Sequence, residues 1–147
     1  MHSENKKAIL GEGLISGYLS IFFSLLSFGA VLCFIFPEYL TTQEFRINYP
    51  IDVFRWMIFG ALAFSFLFAF LSLLLSKKAK YAFIGMSISL VAIILGGGNI
   101  EVGSFDQGAF SISLDWLILE ILALSLIFIP LELFFPKRVE QSKFHPE

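Results

Sequence analysis

Four apolar runs, separated by short polar segments, divide the chain almost from end to end. Gly13 to Pro37 contains no charged residue, none follows Trp56 before Lys77, Tyr81 to Gly98 has none, and the last run opens at Ser113. Each is close to or longer than the roughly 20 residues that carry a helix across the hydrocarbon core. The pattern predicts spans at about 14–36, 52–76, 81–98 and 114–135. It describes an all-α membrane protein, a four-transmembrane-helix bundle formed by one transmembrane domain over 1–147. A cleaved signal peptide would have an apolar core of roughly 7–15 residues and then a small-residue cleavage site. The first run is longer and ends in Phe34-Ile35-Phe36-Pro37, which favours a retained helix.

The polar segments add detail at the ends of these runs. Thr41 and Glu44 have capping-box spacing, and Tyr39, Phe45 and Tyr49 suit the headgroup region. A short interfacial helix over about 41–48 is therefore expected, ending at Tyr49-Pro50 because the residue before proline is pushed out of helical geometry. Asp52 falls in the first turn of the second span, where an acid meets the positive end of the helix dipole, and Trp56 marks the interface. Between the third and fourth runs, apolar and polar residues alternate on both sides of Asp106-Gln107-Gly108. That pattern predicts a small hairpin within an external loop over 97–112.

Charge supplies the orientation. With the N-terminus inside, the cytoplasmic segments hold Lys6, Lys7, Lys77, Lys78, Lys80, Lys137, Arg138 and Lys143, while the opposite side holds only Arg46 and Arg55. Positive charge is retained in the cytoplasm, so both termini are expected there. The composition agrees: 57% hydrophobic, 15% charged, with 19 Phe, against about 25% charged in soluble chains. No basic patch of the kind that binds nucleic acid is present, and the lone Cys33 excludes an internal disulfide.

Small residues recur along the first three spans: Ser16, Ser20, Ser24 and Ser27; Ala61, Ser65, Ala69, Ser72 and Ser76; Ala82, Gly85, Ser89, Ala92 and Gly96. Their steps of three and four average about 3.6, the helical period, so each set lies along one face of its helix. Small residues let helices approach closely in lipid, where apolar burial does not drive association. The serines read as contact residues, each hydroxyl bonded to the carbonyl one turn back, or as a polar substrate path. Phe residues spread over all four spans should largely face acyl chains.

Three polar residues are candidates for intramembrane chemistry: Glu120, Arg55 and Asp115. Glu120 lies about six residues inside the fourth run, ~9 Å from its start, and Arg55 is at comparable depth in the second. Glu120 is expected to face the bundle and pair with Arg55, with Asp115 and Asp52 as alternatives. Such a pair would fix helix register, or would serve a proton or substrate. Pro130 should bend the fourth helix, and Glu132 should meet water or Lys137 and Arg138. Glu120 and Glu132 are ~18 Å apart along the axis and about 120° apart around it, too far for paired catalysis. His2 and His145 lie in polar terminal segments, and no HExxH, CxxC, Gly-rich phosphate loop or GxSxG occurs. No catalytic, cofactor-binding or metal residue is therefore assigned.

The phrase FPEYLTTQEFRINYPIDVFRW (Phe36 to Trp56), the segment leading into LDW (Leu114 to Trp116) and IPLELFFPKR (Ile129 to Arg138) resemble the N-terminal membrane region of bacterial sterol desaturase/fatty acid hydroxylase family proteins. The resemblance continues through QSKFHPE and covers nearly the whole chain. It implies an origin among di-iron membrane oxygenases that act on lipid C–H bonds through histidine boxes. Those boxes are absent here, so the resemblance implies a di-iron cofactor only in a catalytic partner. Three readings follow: an anchoring and lipid-contacting module that works with a desaturase-like partner, a small transporter or channel-like protein using Glu120, and a structural subunit of a membrane complex.

Overall fold

A computed structural model of the chain describes residues 14–42, 47–48, 50–75, 79–103 and 110–134. The side chains of 126, 129, 130 and 132–134 fall outside that description. The α-helices with described bounds are, in order, α1 (Leu14–Ile35), α2 (Pro37–Leu40), α3 (Ile51–Leu75), α4 (Lys80–Ile94) and α5 (Leu114–Phe134), with a 3-10 turn at Gly97–Asn99 after α4. No strand occurs among the described residues. Three stretches, Leu14–Ile35, Ile51–Leu75 and Lys80–Asn99, are long and apolar enough to cross a membrane, which makes the chain an integral membrane protein.

Helix α1 is the hub. It packs extensively against α3 and α4, which also meet each other, whereas α5 touches α1 more lightly. Two zones share the length of this three-helix unit. Towards the Ile35 end of α1, large side chains fill the centre: Leu26, Val31 and Phe34 of α1 with Phe54, Ile58 and Leu62 of α3 and Ala92 of α4. Towards the other end the contacts are small. Ser16, Ser20, Ala69, Ser72, Ala82 and Ser89 are almost wholly buried, so the backbones approach closely, as small-residue stripes in lipid require. Gly85 marks the tightest point: a Cβ there would run into Ser20, with the Ser20 carbonyl carbon only 3.0 Å away.

The predicted stripes are therefore the contact faces of α1, α3 and α4, except that Gly96 is exposed and turns the chain with φ +119°. Ser76 lies outside the described residues. The phenylalanines divide as expected: Phe34 and Phe54 are buried, while Phe59, Phe64, Phe70, Phe83 and Phe128 are exposed.

A four-residue helix runs over Pro37–Leu40, with Pro37 at its start. Thr41 ends it, donating its hydroxyl to the Pro37 carbonyl at 2.6 Å. The interfacial helix expected over 41–48 falls mostly on residues outside the described ones, Glu44 among them, while Ile47 is helical. One local expectation is corrected. The flanks of the expected hairpin, 101–103 and 110–113, do not pair with each other as strands. Instead the Gly103 amide donates to the Phe34 carbonyl (3.0 Å) and the Ile112 amide to the Tyr39 carbonyl (3.0 Å). Asp106, Gln107 and Gly108 fall outside the described residues. Helix α5 runs on through Pro130 to Phe134.

Candidate functional site

Polar side chains gather at two places. The first is the centre of the small-residue zone, where three serines from three helices meet. Ser89 donates to the Ser65 hydroxyl at 2.8 Å, Ser65 donates to the Ser20 carbonyl at 3.0 Å, and the Ser20 and Ser65 hydroxyls are 3.4 Å apart. All three are fully buried. Back-bonding within one helix, as the sequence suggests for all the serines, holds for Ser24 to Ile21 (2.7 Å) and Ser27 to Ser24 (2.9 Å). The cluster of Ser20, Ser65 and Ser89 ties helices together. In lipid such interhelical bonds contribute on average about 0.6 kcal/mol each.

The second place is the end of the bundle where α1 finishes and α3 and α5 begin. Arg55 donates to the Gly98 carbonyl at 2.8 Å, and its guanidinium carbon lies 5.7 Å from the centroid of the Phe34 ring. Phe34 meets Phe54 edge-on at 5.2 Å. The 3-10 turn fits under this layer because Gly98 has no side chain: a Cβ would sit 2.7 Å from the Phe59 ring. Gly97, with φ +54°, adopts a left-handed conformation that costs glycine little.

The start of α5 is strapped to the same end. Ser111 donates its hydroxyl to the Thr41 carbonyl at 2.8 Å, and the Ser113 amide donates to the Ser111 hydroxyl at 3.3 Å. Ser113 itself takes φ 57°, uncommon for a residue with a side chain, and the helix starts immediately after it. Asp115, in the first turn of α5, is only 2% exposed. Its position favours an acid, since the amides of a helix start carry partial positive charge.

The three sequence candidates have different surroundings. Asp115 is the buried acid, Arg55 is held by a backbone carbonyl and an aromatic ring, and Glu120 is exposed. The expected inward Glu120–Arg55 pair is not formed. Five residues along the helix from Asp115 is about 500°, or 140° of net rotation. With Asp115, Ile118 and Leu122 turned inward, Glu120 must therefore point away. Among the described residues Glu120 has neither a hydrogen bond nor an ion pair. Its neighbours on the exposed side are Trp116, Leu117, Leu124, Ile127 and Phe128. The side chains of Pro130 and Glu132 lie outside the described ones.

An apolar cleft remains between α3 and α5, lined by Met57, Gly60, Phe64, Leu122 and Ser125 with Phe23 at its base. A Cβ added at Gly60 would meet nothing within 4 Å. No group of three or more His, Cys, Asp or Glu side chains that could hold a metal occurs among the described residues; His2 and His145 lie outside them. No family model, curated protein or solved structure matches the chain.

Proposed function

We propose that the chain is a membrane-embedded anchoring module with no reaction of its own, which presents its fourth helix to a partner membrane protein. The observation that carries this is the contrast between a tightly bonded three-helix unit and a lightly attached α5 whose acid points outward. A residue such as Glu120, costly to leave facing lipid, is stabilised once another protein covers it. On this reading α5 is the fourth span, the Arg55 end is the outer end, and both termini are cytoplasmic, in a bacterial inner membrane. The resemblance to the membrane region of sterol desaturase-like oxygenases adds the class of partner: a lipid-oxidising protein whose own histidine boxes hold iron. The transporter reading would have Glu120 line a path through the bundle, and its outward position counts against that.

Photo-crosslinking from position 124, on the exposed side of α5, tests the proposal in native membranes. A histidine-box membrane protein among the identified adducts supports the desaturase-like reading, and another membrane protein supports the structural-subunit reading. Adducts with lipid alone overturn both. A reporter fused after Ser104 that is active in the cytoplasm overturns the orientation.

A further inference from the structure

We infer that the exposed ridge of α5 seats a partner transmembrane helix carrying a lysine or arginine at the depth of Glu120. This rests on α5 being a span presented for assembly, and it specifies the chemistry of what covers it. Trp116, Glu120, Leu124, Ile127 and Leu131 are all exposed. They follow at steps of four, four, three and four, so they form one continuous ridge along the helix.

The ridge also carries its own depth gauge. Tryptophan is enriched at the membrane interface, and Trp116 is 59% exposed near the start of α5. Trp56, 75% exposed near the start of α3, belongs to the same end of the bundle because its neighbour Arg55 binds Gly98 there. Glu120 is one turn below Trp116, about 6 Å deeper, and leucine and isoleucine continue the ridge beyond it. An acid among apolar side chains at that depth is complementary to a cation or a strong hydrogen-bond donor.

Among the described residues, a second copy of this chain does not supply one. Copies share one orientation in the membrane, so ridge against ridge across a two-fold axis sets Glu120 opposite Glu120 at equal depth. The cations of the described helices are Arg55 and Lys80. Arg55 is engaged by Gly98 and Phe34, and Lys80 opens α4 at the far end of the bundle. Charge complementarity therefore points to a helix of different sequence.

The test reconstitutes the full chain in phosphatidylcholine vesicles with a poly-leucine transmembrane peptide carrying one lysine a turn below an interfacial tryptophan. The matched control has leucine in place of the lysine. Association is read by energy transfer between a label on the C-terminal tail and one on the peptide. The lysine peptide should associate roughly tenfold more tightly than its control, the size of a good interhelical polar contact, and Glu120→Gln should remove the difference. A thermal melt of the Glu120→Gln protein checks that its fold is intact. Equal binding of the two peptides, or an undiminished lysine preference in Glu120→Gln, overturns the inference. So does a homodimer captured by disulfide formation in Leu124→Cys. If the lysine preference fails while native membranes still give protein adducts at position 124, only the charge pairing falls; lipid adducts alone remove the assembly reading beneath it.

Discussion

Gly85→Ala is the sharpest test of how α1 and α4 meet. The added methyl would run into the Ser20 hydroxyl, and it would stand 3.0 Å from both the Ser20 carbonyl carbon and the Ser20 Cβ, where ordinary contact is 3.4–4 Å. The hydroxyl can rotate away at the expense of its contact with Ser65. The carbonyl carbon cannot, so α1 and α4 must separate by a few tenths of an ångström. Overpacking of this kind costs about 1–3 kcal/mol, while the helix preference of alanine over glycine returns at most about 1 kcal/mol. The net expectation is a loss of about 1–2 kcal/mol, near a tenfold shift in the unfolding equilibrium. Gly60→Ala is the matched control: it sits mid-helix in α3 with nothing within 4 Å of the new methyl, so it should be neutral or stabilising by up to about 1 kcal/mol. Reversible unfolding in bicelles measures both. A Gly85→Ala protein as stable as the wild type, or a Gly60→Ala protein that loses as much, would refute the close approach.

Three further outcomes follow from the same contacts. Ser65→Ala removes the hub of the three-serine cluster without changing volume much, so bicelle unfolding should show a loss of about 1–2 kcal/mol. Arg55→Met gives up both the Gly98 bond and the Phe34 face; it should cost about 1–3 kcal/mol and speed proteolysis of the segment after α4, with Arg55→Lys between it and wild type. Glu120→Leu should leave bicelle stability within about 0.5 kcal/mol of wild type, as for surface positions without partners; a larger loss would mean that Glu120 is held inside the bundle.

How much of this was legible in the sequence depends on whether a residue's neighbours are set by period or by rotation. The contact faces of α1, α3 and α4 could be read directly, because serines, alanines and glycines recur at the helical period against a background of large apolar residues. The facing direction of α5 could not. Leu, Ile, Trp and Phe surround that helix on nearly every side, so no stripe reports its rotation, and the acid nearest the membrane centre looked like the one to bury. The deciding feature is that Asp115, Ile118 and Leu122 share one side, with Ile118 lying over the notch left by Gly29. Thr41 shows another limit. A threonine hydroxyl can back-bond to the helix behind it as well as cap one ahead, and the bond that Thr41 gives to the Pro37 carbonyl is not legible in the Thr41–Glu44 spacing.

If α5 is presented to another protein as proposed, the two zones of the bundle let that happen at little expense to the rest of the fold. Close backbone approach and interhelical serine bonds hold α1, α3 and α4 together along the small-residue zone. The buried residues of α5 among those described are Asp115, Ile118 and Leu122, all in its first nine positions and all at the Arg55 end. Large apolar side chains such as Ile118 and Leu122 give a helix little reason to prefer protein over lipid tails. The location of α5 therefore depends heavily on the polar straps at its start, Ser111 to Thr41 and Ile112 to Tyr39. Beyond Leu122 the cleft beside Gly60 separates it from α3. A partner that captured the Glu120 ridge could tilt α5 about its strapped start, opening or closing that cleft, without breaking any serine bond in the core.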